Sequence, residues 1–117
     1  MSSEHDQDLA EIEIIHCTPI HADILAWLHG ACFEISWNTP SFRTLLEMPG
    51  GFGFIARLAD QPAGFIMARQ AQDEGEIISL GVLPDHRRHG LARTLVRAAE
   101  SHLLKMMVKP CFEGRGK

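Results

Sequence analysis

The chain has 117 residues, 45% of them apolar and 22% charged, and 11 Lys+Arg against 15 Asp+Glu give a formal charge of −4. This describes one globular domain with a single core and excludes a collagen-like or disordered chain. The acidic balance argues against nucleic acid as a partner, and no run approaches the roughly 18 uncharged apolar residues of a membrane span.

Residues 1–10 are polar and read as a loose N-terminus, with no basic-then-apolar leader. Three cysteines, Cys17, Cys32 and Cys111, form an odd set without a C-x-x-C pair. They suggest neither a disulfide framework nor a zinc site, and a reducing cytoplasm fits them. Glu11 to Ile15 alternates as a strand. Thr18-Pro19 reads as a helix start, with Ile20, Ile24, Trp27, Leu28 and Ala31 following at helical spacing. Thr39-Pro40 opens a second helix carrying Phe42, Leu45 and Leu46, which Pro49-Gly50-Gly51 stops.

The period then changes. Phe52–Leu58, Ala63–Arg69 and Glu76–Val82 are apolar runs separated by two turn-rich stretches, Ala59-Asp60-Gln61-Pro62 and Gln70 to Gly75, and predict an antiparallel meander. After Pro84 to Gly90 a helical pattern returns with Ala92, Leu95, Val96, Ala99 and Leu103, expected to end near Lys105. Residues 106–117, with Pro110, Gly114 and Gly116, are expected to be an irregular tail. The order is strand, helix, helix, three strands and helix, an α+β (α/β) domain over residues 11–105.

The chemistry-bearing segment is Leu80 to Ala92, where a strand feeds a tight turn that opens a helix. Helix N-termini expose unpaired N–H groups and a partial positive charge, which suit phosphate oxygens. Gly90 lets the backbone approach a bulky anion, and Arg87, Arg88 and Arg93 add positive charge. The loop matches neither the ATP pattern G-x-x-x-x-G-K-[ST] nor the dinucleotide pattern G-x-G-x-x-G.

Arg87-Arg88-His89-Gly90-Leu91-Ala92, behind Leu80-Gly81-Val82-x-Pro84, resembles the [QR]-x-x-G-x-[GA] signature of the GNAT superfamily of acetyl-CoA-dependent N-acetyltransferases. The resemblance implies a mixed, mostly antiparallel sheet with flanking helices, and acetyl-CoA as co-substrate without a metal. Arg87, Arg88, His89, Gly90, Leu91, Ala92 and Arg93 would hold its pyrophosphate, and Leu80, Gly81 and Val82 its pantetheine arm. Trp37, Phe42, Pro49 to Gly53, Pro62 to Phe65 and Asp73 to Glu76 are similar to the ribosomal-protein-alanine N-acetyltransferases of RimI type. That likeness implies a protein α-amino group as acceptor, on a ribosomal protein, with Trp37 and Phe42 lining the acceptor groove. Core packing is the alternative for both aromatic residues.

The resemblance covers about residues 11–104, after which a family member continues with a strand, a helix and a hairpin that supply a tyrosine as proton donor. This sequence has no tyrosine. Glu76, eleven residues before Arg87, takes the position of the catalytic glutamate in one branch of the family, and would share a strand face with Ile78 and Leu80 in an unbulged strand. An ordinary charged residue at a strand start is the alternative. Three functional readings stay open: an N-acetyltransferase, a CoA-binding remnant without turnover, and an interaction domain completed by another chain or by a homodimer at the open sheet edge.

Overall fold

The computed structural model describes residues 12–87 and 90–115, with side chains as far as Met106. Strand β1 (Ile12–His16) is followed by a 3-10 turn (Pro19–His21), helices α1 (Ala22–Cys32) and α2 (Thr39–Glu47), and strands β2 (Gly51–Leu58), β3 (Gln61–Ala71) and β4 (Glu74–Val82). A second 3-10 turn (Pro84–His86) leads to helix α3 (Leu91–Arg115). The strands form one antiparallel sheet in the order β1-β2-β3-β4, so β1 and β4 are its edges.

The expected meander is present, and its turns explain its registers. Ala59 and Asp60 both take positive φ, 53° and 67°, as a two-residue hairpin turn matched to strand twist requires. Gln72, at φ 57°, begins the second turn, and β4 starts at Glu74 instead of Glu76. Between Met67↔Ser79 and Ala68↔Ile77 the pairing shifts, leaving Ile78 as an extra residue on β4. This bulge overturns the expected face sharing. Ile78 packs with the α1/α2 side of the sheet and Leu80 with the α3 side.

Strand β3 is the middle of the domain. Ala63 to Ala68 are all buried, with Phe65 and Met67 packed under α1 and α2, and Ile66 and Ala68 under Leu91, Leu95 and Ala99 of α3. A continuous apolar run suits a strand covered on both faces.

Helix boundaries depart from expectation in instructive ways. Asn38, not Thr39, caps α2: its side-chain oxygen accepts the Ser41 N–H at 3.0 Å and the Ser41 hydroxyl at 2.9 Å. In α1 the buried residues are Ala22, Leu25, Leu28 and His29, whereas Ile20 in the preceding turn and Ile24 and Trp27 are exposed. The segment is apolar nearly all round, so its period does not distinguish faces, and contact with α2 and β3 selects one. Helix α3 passes Lys105 and runs to Arg115, so residues 106–115 are helical where an irregular tail was expected; Met106 to Lys109 carry no stop signal, and Pro110 and Gly114 lie within the helix. No helix among the described residues is long and apolar enough to cross a membrane.

Two predictions follow from the packing. Leu95 is wholly buried between α3 and the sheet, so Leu95→Ala should cost about 2–5 kcal/mol in denaturant unfolding. His102 of α3 packs against Phe52 at 4.4 Å and His16 at 4.8 Å between ring centroids, and burial first, then the charges of His16 and Lys105, lower its pKa. A depressed histidine pKa means that the unfolded chain takes up the proton more readily. The stabilisation is complete above the unfolded value near 6.5 and lost as pH falls below it. The melting temperature should therefore drop between pH 7.5 and pH 5, and drop less in His102→Phe.

Candidate active site

The C-terminal end of β4, the turn after it and the start of α3 enclose a cavity of about 510 Å³. Leu80, Gly81, Val82, Arg87, Gly90, Leu91, Ala92 and Arg93 line it, so the expected cofactor residues on described positions all come together there. Arg88 and His89 lie outside the described residues. The opposite wall comes from Cys32, at the end of α1, and Phe33, with His86 at the turn. Cys32 and Phe33 carry no sequence signal for this site, because only the packing of α1 on β3 brings them to β4.

The helix end presents backbone donors toward the cavity. Gly90 has φ 77°, in the left-handed region that favours glycine, and precedes the first turn. The Thr94 N–H and hydroxyl both donate to the Gly90 carbonyl, at 3.1 and 3.0 Å. Thr94 is thus the first residue whose N–H closes an α-helical bond, and the N–H groups of Leu91, Ala92 and Arg93 precede it without an intrahelical acceptor. Leu91 is buried in the core, which fixes the direction of that end. Among the described residues, Arg87, Arg93 and His86 are the charged or ionisable side chains on this side, and none of the lining is acidic.

Two contacts set the width of the cavity. The Arg87 guanidinium donates through Nε to the Val82 carbonyl at 2.9 Å, tying the turn back to the strand it has just left. Arg87 therefore holds protein backbone as well as adding charge. Gly81 lies against α1: a Cβ there would stand 2.8 Å from Phe65 Cε1 and 3.1 Å from Cys32 Sγ. The absence of a side chain is a condition for the close approach of α1 to β4.

The cysteines differ in setting. Burial pushes the Cys17 thiol up to about 12, which makes it inert. Burial also raises Cys32, while the nearby Arg87 charge and hydrogen bond pull it the other way.

The expected acceptor and base residues fall elsewhere. Phe42 is 0% exposed and packs against Phe65, His29 and Trp37, so it supports the wall from within and lines no groove. Trp37 is partly buried beside it. Glu76 is exposed, stands opposite Arg69 and is not in the cavity lining. Five residues before Gly81, it lies about 16 Å back along the strand at roughly 3.3 Å per residue.

A model of the acetyltransferase (GNAT) family matches residues 22–112. The chain belongs to the GNAT acetyltransferase family. Its fold is similar to that of the ribosomal-protein-S18-alanine N-acetyltransferase from Escherichia coli, with a TM-score of 0.72 and 19% identity over 81% of this chain and 61% of that one. The ribosomal-protein-alanine N-acetyltransferase from Brucella melitensis gives 0.67 and 19% over 80% and 72%. The aminoglycoside N-acetyltransferase AAC(6')-Iy, solved in complex with CoA, gives 0.70 and 17% over 81% and 70%. The chain thus spans less than two thirds of the length of the Escherichia coli enzyme. A search of curated proteins found no match.

The crowding at Gly81 gives a direct check on the packing of α1 against β4. Gly81→Ala should destabilise by about 1–3 kcal/mol, since Phe65 and Cys32 must move. The loss should be smaller in Gly81→Ala combined with Cys32→Ala, which a double-mutant cycle in urea measures.

Proposed function

We propose that the cavity binds acetyl-CoA and that the domain transfers its acetyl group to an amine. The observation that carries this reading is the convergence of helix N–H groups that have no intrahelical acceptor with Arg87 and Arg93 on a cavity whose described lining is free of acidic residues, at the end of the strand that the family signature follows. The pyrophosphate would rest on the Gly90 to Arg93 segment, with Arg88 and His89 joining on the strength of the signature alone. The pantetheine arm would extend along Leu80, Gly81 and Val82, whose edge strand has no neighbour on its outer side in the described sheet.

In the transfer, a neutral amine nitrogen attacks the thioester carbonyl, the C–S bond breaks, the nitrogen loses a proton and the sulfur gains one. Backbone N–H groups of β4 beyond the pantetheine arm would polarise the carbonyl. As acceptor we propose a polypeptide α-amino group, as on a ribosomal protein, in a cytoplasmic setting. Two fold neighbours are named for that reaction, although the aminoglycoside enzyme has a comparable fold.

A second reading, CoA binding without turnover, is favoured by the position of Glu76. Glu76 stands outside the cavity lining, so as a base it would have to act through water or through a substrate that reaches back to it. Glu76→Gln decides whether it has any role: a glutamate that takes the amine proton should leave binding intact and lower the rate most at low pH.

Melting with acetyl-CoA at about 100 times its dissociation constant should stabilise the chain by about 2.7 kcal/mol, a rise of several degrees. Gly90→Glu adds bulk and negative charge at the helix end and should abolish the rise while the variant still melts cooperatively. An undiminished rise in Gly90→Glu would sink the site. Acetylation of a peptide with a free N-terminus, and of neither its N-blocked form nor an aminoglycoside, would establish the acceptor.

A further inference from the structure

The α1 side of the cavity ends in a connecting segment, residues 33–38, and one buried histidine holds it. His29, in the last turn of α1, is 4% exposed and is the buried polar side chain of the described core. Its Nδ1 accepts the Trp37 N–H at 3.2 Å. Its ring stacks on Trp37 with centroids 5.0 Å apart and an interplanar angle of 20°, and meets Phe33 at 4.6 Å. Phe42 from α2 and Phe65 from β3 close the cage at 5.7 and 5.9 Å. Phe33, at the other end of the segment, lines the cavity beside Cys32.

We propose that His29 is a positioning residue: in its neutral form it pins the 33–38 segment by the Trp37 main chain, and thereby sets the wall that Phe33 presents to the cavity. The inference rests on the reading of that cavity as the acetyl-CoA site. An imidazole whose Nδ1 accepts carries its proton on Nε2. Protonation converts Nδ1 into a donor facing a donor, so the bond to Trp37 is lost.

Among the described residues, the surroundings contain little else that titrates. The groups packed on His29 from α2, β3 and the segment are the aromatic rings already named, and burial is the cause of its lowered pKa, with no charged partner contributing. Glu34, the carboxylate of the segment, is exposed, and the Cys32 thiol is held up by burial. His86 also lines the cavity.

The test uses Trp37 as reporter in a Trp27→Phe background, since the chain has two tryptophans and Trp27 is 58% exposed. Between pH 7.5 and pH 5 the Trp37 emission maximum should move to the red while far-UV dichroism stays native. The dissociation constant for CoA should rise roughly five-fold more than in His29→Asn, which keeps an acceptor without titrating. The phosphate of CoA itself titrates in this range against both proteins and cancels in the comparison. His29→Phe, which has no acceptor, should bind CoA weakly at every pH, and its restoration in His29→Asn separates positioning from packing.

The same acid response in His29→Asn as in the parent would overturn the proposal, as would a Trp37 emission maximum that stays constant in the folded protein. Should His29→Asn fail to fold, the Trp37 titration of the parent alone decides. Titration of Trp37 without CoA binding at any pH would refute the cavity reading and uphold the anchoring of the segment.

Discussion

The site depends on the burial of β3 from both sides. Ile66 and Ala68 seat α3, Phe65 and Met67 seat α1 and α2, and β4 is held to the same strand by its ladder. Every wall of the cavity is therefore one step from β3: β4 by main-chain bonds, α3 through Leu91, and α1 through the residues around His29. Because interiors are close-packed, displacement of one wall is felt by the others. The cavity has the shape that three elements leave where their common support ends.

Within that frame, small backbone features decide the chemistry. The extra residue at Ile78 rotates the end of β4, so that Leu80 joins the α3 side while Gly81 meets Cys32 and Phe65. Arg87 then ties the following turn to Val82, ahead of Gly90 and the first N–H groups of α3. Positive charge and directed donors lie at one end of the cavity and apolar surface at the other. A ligand with an anionic head and an extended, amide-bearing arm matches that polarity. The acetyl end is less defined, since Glu76 stands far back on β4 and the nearest side chains are Cys32, Phe33 and His86.

Much of this was legible in the sequence, for reasons that can be stated residue by residue. The meander could be read because Ala59-Asp60 and Gln72-Asp73 interrupt apolar runs of strand length, and the cavity-lining turn because Arg87 to Ala92 sits between a strand and a helix. The choice of face on α1 could not, because Ile24 and Trp27 are as apolar as the Leu25 and Leu28 that the core uses. Glu76 shows the same difficulty: a bulge shifts facing by one residue, and nothing in Ile77-Ile78-Ser79 announces it. Phe42 was a candidate for the groove and is a core residue, since a phenylalanine pattern does not reveal which side of a wall it occupies. Cys32, Phe33 and His29 were beyond reach because their roles come from the packing of α1 over β3.

The central claim is that CoA lies between the end of β4 and the start of α3. Its most direct test is an amide NMR titration of the 117-residue chain with CoA, read at Leu80, Gly81, Val82, Gly90, Leu91, Ala92 and Arg93. The account predicts that these amides shift together and saturate at one dissociation constant, and that adenosine monophosphate shifts the helix-end amides alone. Saturable shifts confined to other parts of the sheet, with Gly81 and Gly90 unmoved, would contradict it.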